Sequence, residues 1–211
     1  KVSAMDALLR DALADVMRVS GIKVITDNNE AQRVLDKENE SVRMQATRLA
    51  NERFNTELNN YKKNTHNGLL HLGKPSQILE ACGVTVEEIT LSPKTLNRKL
   101  KQHNLSIDDI KGLVNALQKP ILVYVHGKKA PNMVVVTEKI VNNGKISIAL
   151  ELNEKGEVVD INNVSSVHTK DADTEIERLM NFTAKELQEA LKFVVKEKVF
   201  DWFNTGRLYS D

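Results

Sequence analysis

Two clusters of side chains in this chain are of types that could move protons beside a phosphate. The first is a basic run, Lys94, Arg98, Lys99 and Lys101, closed by His103. Metal-independent cleavage of an RNA phosphodiester needs a base for the 2′-hydroxyl, an acid for the leaving oxygen and cations for the phosphate. His103 ends the basic run, where the negative end of a helix dipole would favour its protonated form. It is therefore the candidate acid or base, and the four cations could steer a polyanion toward it. The second cluster is Ser166, His168 and Lys170. Alternate residues of a strand point to one side, so hydroxyl, imidazole and ammonium would share a face. Together they could bind and protonate a phosphodiester. Glu138 is a candidate carboxylate at the substrate, and Thr137 beside it must face the other way.

Each feature also has a plainer reading. A last-turn histidine can simply cap its helix. Polar residues that alternate along a strand are what the solvated side of an antiparallel sheet carries. A charged helix face is commonly just hydrated, and a strand carboxylate is commonly just surface. Trp202, with Val199, Phe200 and Phe203 around it, reads as a core anchor more than a base-stacking platform. Cys82 precedes Gly83 at a helix end with no base in sight to activate its thiol.

Other chemistries lack their motifs. There is no phosphate-binding G-x-x-x-x-G-K-[ST] loop, no G-x-G-x-x-G and no H-E-x-x-H. The 5 histidines show no ligand spacing and Cys82 is the only cysteine, so neither a metal nor a cofactor is expected and no internal disulfide can form. Lys plus Arg number 30 against 29 Asp plus Glu, a net charge of +1, which argues against a protein built to coat nucleic acid. Apolar runs such as Ile121 to Val125 are far too short to span a bilayer, so no membrane partner is expected. No secretion leader is visible, and an opening of KVSAMDALL suggests a fragment of a longer polypeptide.

Length and composition (211 residues, 41% hydrophobic) allow one good-sized core with an appendage. Two stretches of different character are expected. Residues 1–64 read as a helical N-terminal extension and linker. Leu8, Leu9, Ala12, Leu13, Val16 and Met17 form one apolar face, Gly21 ends that helix, and Ile22 to Ile25 is a short strand-like insert. Asp27 with Glu30 caps a long charged helix carrying Val34, Leu35, Val42, Ala46, Leu49 and Phe54. An Asn-rich polar stretch then marks a boundary.

Residues 69–208 read as an α+β domain. Pro75 to Ala81 is a short helix and Glu88 to Leu91 a short strand. Ser92-Pro93 starts the basic helix, with Leu96 and Leu100 on its inner face. Ser106 with Asp109 opens another helix through Leu117, stopped by Pro120. Four strands follow: Ile121 to Val125, Asn132 to Ile140, Lys145 to Leu152 and Val158 to Val167. The turns Asn142-Asn143-Gly144 and Glu154-Lys155-Gly156 are short, so successive strands must be antiparallel neighbours. Thr183 with Glu186 caps a last helix, with Leu187, Leu191, Val194 and Val195 as its buried face.

Several words along this stretch carry a resemblance. His71-Leu72-Gly73-Lys74-Pro75 with Ile78-Leu79 matches an LG-x-P-x-x-(I/L)-L opening. Ile89 to Ser92, Leu96 to Lys101 and His103-Asn104-Leu105 match a strand–helix run ending in K-x-H-G-L. Lys119-Pro120-Ile121 and Val134 to Glu138 follow in order. Asn162 to Lys170 is similar to N-x-I-x-S-(V/I)-Y-G-K, and Val199 to Phe203 to L-x-W-(L/F). In this order and spacing they resemble the C-terminal domain of phage MuF-type proteins. Two positions depart from that pattern: Asn104 stands for a glycine, and His168 for a tyrosine.

The resemblance implies a phage or mobile-element effector, a toxin domain, on a polyvalent protein packaged or delivered with DNA. Its compact layout is similar to the barnase, EndoU, colicin and RelE group of small RNases, an analogy of fold. The expectation is an RNase-like endonuclease in the cytoplasm or virion, with His103 as acid or base and Ser166, His168 and Lys170 on the phosphate. Its partners would be RNA and an immunity protein or other domains of a larger polyprotein. The rival is a non-catalytic interaction or structural module of that polyprotein. A third reading, modification of a host protein or nucleotide, has no motif behind it.

Overall fold

Apolar runs separated by tight turns build the middle of a sheet, and short capped helices cover one face of it. The structure, a computed structural model, describes residues 23–25, 40–127, 131–141, 146–165 and 183–199. In chain order the elements are β1 (Lys23–Ile25), α1 (Glu40–Lys62), β2 (Leu70–Gly73), α2 (Gln77–Ala81), β3 (Ile89–Leu91), α3 (Pro93–Gln102), α4 (Ile107–Ile110), α5 (Leu113–Gln118), β4 (Leu122–His126), β5 (Asn132–Val141), β6 (Ile146–Leu152), β7 (Glu157–Ser165), α6 (Ala184–Ala190) and β8 (Leu191–Val195). The fold is α+β, as the sequence implies.

Among the described residues eight strands form one sheet, in the order β1-β8-β4-β5-β6-β7-β3-β2. The expected meander is its centre, β4 to β7, antiparallel throughout. Val123, Val135, Leu150 and Ile161 stand opposite one another across these strands and face the helices as part of the main core. Leu122, Val136 and Ala149 form the adjacent row and are also fully buried. Burial on both faces is why these strands read as continuous apolar runs rather than alternating ones. β3 adds to β7 in parallel and β2 pairs antiparallel with β3.

The structure departs from the expected elements in three places. The last helix stops at Ala190, and Leu191 to Val195 is strand β8, paired antiparallel with β4 and parallel with β1. Helical spacing of Leu187, Leu191 and Val194 is real, but β4 offers an open apolar edge and Phe193-Val194-Val195 is β-prone. The capping box at Thr183 and Glu186 forms as read. The helix from Ser106 is two helices, α4 and α5, because Gly112 turns left-handed (φ 82°) between them. Third, β2 takes up residues read only as a motif.

Helix α1 belongs to the same core. Phe54 and Leu58, fully buried, cluster with Leu70, Leu72, Leu79 and Leu113. Glu57 accepts the His71 backbone N–H at 2.7 Å and the imidazole Nδ1 at 2.8 Å, so α1 satisfies a polar group of strand β2. Gly73 permits the close approach. Its φ is 82°, and a Cβ there would sit 2.8 Å from the Ala50 Cβ.

Candidate functional site

Strand β3 is only three residues long and pairs with β7 at Glu157 and Val158. Helix α3 lies against β7 immediately beyond that pairing. Ser92 starts it by accepting the Thr95 N–H at 3.1 Å, with Pro93 in the first turn. Leu96 anchors the helix in the core. On the β7 side, Arg98 donates to the Val159 carbonyl at 3.1 Å. One residue on, the Lys99 ammonium pairs with the Asp160 carboxylate and donates to Gln102 Oε1 at 3.0 Å. The Lys99 side chain is 9% exposed and that of Asp160 22%. A largely buried ion pair therefore joins α3 to β7. β7 is irregular here, Asp160 facing Glu151 while Val158 faces Leu152.

His103 caps α3, its N–H donating to the Lys99 carbonyl at 3.0 Å. Asn104 follows with φ 51°, the left-handed geometry that glycine would otherwise supply. The imidazole is half-buried. Burial depresses its pKa below the ordinary 6.5, the Lys99 ammonium adds to the depression, and Asp160 opposes it. Loss of hydration and a neighbouring cation act against the imidazolium that a helix end would favour. The depressed pKa favours the uncharged ring, which suits a proton acceptor.

The remaining candidates scatter. Lys94, Arg98 and Lys101 are exposed on α3. Lys99, expected to steer a polyanion, is instead turned inward onto Asp160. Glu138 is exposed on β5, two strands from β7, and pairs with Lys198 at 2.8 Å. Thr137 faces inward and donates to the Ile148 carbonyl at 2.7 Å, so the two residues diverge as alternation demands. Ser166, His168, Lys170 and Trp202 lie outside the described residues.

Three polar groupings were missed at the sequence level. Asp160 is one; its signal was an acid inside the apolar run Val158-Val159-Asp160-Ile161. Glu151 is another, a buried carboxylate that accepts from Asn132 Nδ2 at 2.8 Å and lies 3.7 Å from His126 Nδ1. The third links α1 to β2. Glu57 binds His71, and Arg53 bridges Glu57 and Glu88 at 3.2 Å each. Among the described residues no three His, Cys, Asp or Glu side chains converge so as to hold a metal ion. Among them also, no helix is long and apolar enough to cross a membrane.

A family model described as the phage MuF C-terminal domain matches residues 94–200. That span opens in α3 and closes just past β8, and it contains Lys99, His103, Glu151 and Asp160. No curated protein and no solved structure matches the chain.

Proposed function

Given that the chain belongs to the phage MuF C-terminal domain family, we propose that it is an effector domain cleaving RNA phosphodiesters without a metal, with the end of α3 as its acid–base centre. The observation behind this reading is the half-buried His103, its pKa held down by burial and by Lys99, beside the largely buried Lys99–Asp160 pair. Buried ion pairs contribute little net stability, and perturbed titratable groups concentrate at functional sites. The neutral imidazole takes the proton of a 2′-hydroxyl, whose oxygen attacks phosphorus and leaves a 2′,3′-cyclic phosphate. The departing 5′-oxygen takes its proton from His168, while Ser166 and Lys170 hold and polarise the phosphate. Asp160 keeps Lys99 off the substrate and orders the last turn of α3. Lys94 and Lys101 draw the polyanion in.

An RNA oligonucleotide and its all-2′-deoxy counterpart, incubated with the protein in EDTA, test this chemistry. The RNA alone is cut, to cyclic-phosphate ends, and His103→Ala abolishes cutting while remaining folded. Cleavage of both strands, or full activity in His103→Ala, would remove the 2′-hydroxyl mechanism and its base. The second reading, an interaction module within a larger polyprotein, is favoured by one observation only: α1 carries exposed large apolar side chains.

A further inference from the structure

Lys99 fixes both of the residues that close α3. Its carbonyl accepts the His103 backbone N–H at 3.0 Å, and its ammonium donates to Gln102 Oε1 at 3.0 Å. That ammonium is itself anchored, on a side chain 9% exposed and paired with Asp160. An ammonium has donors and no acceptor, so the Gln102 amide oxygen faces it and the amide nitrogen turns away. Among the described residues no acceptor takes the two protons of that nitrogen, and Gln102 is exposed. An unclamped glutamine can turn its amide either way and read a nucleobase edge with donor and acceptor together. Clamped by Lys99, Gln102 offers donors alone, one residue before His103. The Lys99 and Asp160 charges both act on the His103 imidazole, so the ring stands close to the pair that sets the clamp.

We propose that Gln102 reads the nucleobase on the attacking ribose and favours the keto bases guanine and uracil over the amino bases adenine and cytosine. Its amide donates to guanine O6 or uracil O4. Adenine and cytosine carry an amino group at the same place, where donor would meet donor. Lys99 acts through Gln102 as a positioning residue and makes no contact with RNA itself. The buried ion pair with Asp160 thereby serves recognition, by holding the amide in one orientation. The proposal rests on the RNA-cleavage reading of the same site and adds the substrate class to it.

Affinity for nucleoside 3′-monophosphates, which needs no turnover, is the test, followed by NMR of the Gln102 side-chain amide in the full chain. The guanosine, uridine and inosine nucleotides bind about 3- to 10-fold tighter than those of adenosine and cytidine, and they shift the Gln102 amide protons. Inosine keeps the O6 of guanine and lacks its amino group, so it separates the two. Lys99→Met frees the amide to turn and brings the ratio of keto to amino affinities near one. Gln102→Glu, whose outward oxygen only accepts, reverses it. A merely structural Lys99 would instead change all the affinities alike. Equal binding of keto and amino nucleotides overturns the proposal, as does inosine binding no better than adenosine, or an unchanged ratio in folded Lys99→Met or Gln102→Glu. Absence of binding by every nucleotide at millimolar concentration overturns it too, and RNA still cut in that case leaves the cleavage reading standing. A keto preference without RNA cleavage supports nucleobase recognition and removes catalysis alone.

Discussion

Replacing Asp160 with asparagine isolates the ion pair that joins α3 to β7. The substitution keeps shape and removes the charge, leaving the Lys99 ammonium 9% exposed without its carboxylate. Breaking a buried pair from one side costs about 3–5 kcal/mol. Two features place this case at or below the low end. Asp160 retains 22% exposure, and Gln102 Oε1 still accepts from Lys99 at 3.0 Å. A loss of about 2–3 kcal/mol is therefore expected, a fall in Tm of roughly 5–10 °C for a chain of this size. Lys99→Met behaves differently: it fills the same space with an apolar chain, and the carboxylate left behind is partly hydrated, so its cost is about 1 kcal/mol or less. The double variant recovers most of what Asp160→Asn loses. Urea unfolding of the four proteins at pH 7, closed as a double-mutant cycle, reads this directly. If Asp160→Asn lies within about 0.5 kcal/mol of wild type, Lys99 is solvated and the buried-pair reasoning is refuted.

Two further perturbations follow from the same packing. His103 has its folded pKa depressed below the ordinary 6.5, so below pH 6.5 the unfolded chain gains a proton that the folded chain resists. Its contribution is fully present above that pH and declines as pH falls toward the folded value. Urea midpoints at pH 7.5 and 5.5 should differ less in His103→Gln than in wild type, and the histidine NMR titration should move lower in Asp160→Asn and higher in Lys99→Met; a midpoint gap unchanged by His103→Gln would contradict the assignment. Phe54→Ala, at a fully buried position of α1, should cost about 3–5 kcal/mol in a single unfolding transition, whereas an unaltered main transition would mean that α1 is not part of the cooperative core.

What the sequence reveals depends on how local the cause is. The caps at Ser92, Ser106 and Thr183 are decided within four residues and were all legible. So was the meander, because short turns leave successive strands no other partner. Strand β8 was not: Leu191 to Val195 fits either period, and the arbiter is an unfilled edge of β4 about 70 residues earlier in the chain. β2 was hidden for the same reason, being a four-residue strand whose partner is β3. Phe54 and Leu58 looked like a thin stripe on an extension because their partners, Leu70 and Leu113, lie in other elements. At the candidate site His103 was visible by type and position. The downward shift of its pKa was not, since burial and Lys99 cause it and neither leaves a local spacing to read. Asp160 escaped because pairing across 61 residues leaves no spacing to read.

The most direct test of the central claim is incubation of total bacterial RNA with the purified protein in EDTA, beside folded His103→Ala and Lys170→Ala. Cleavage by wild type and its loss in both variants is the result the RNase reading predicts. Intact RNA at high protein concentration, with the protein folded, would contradict it.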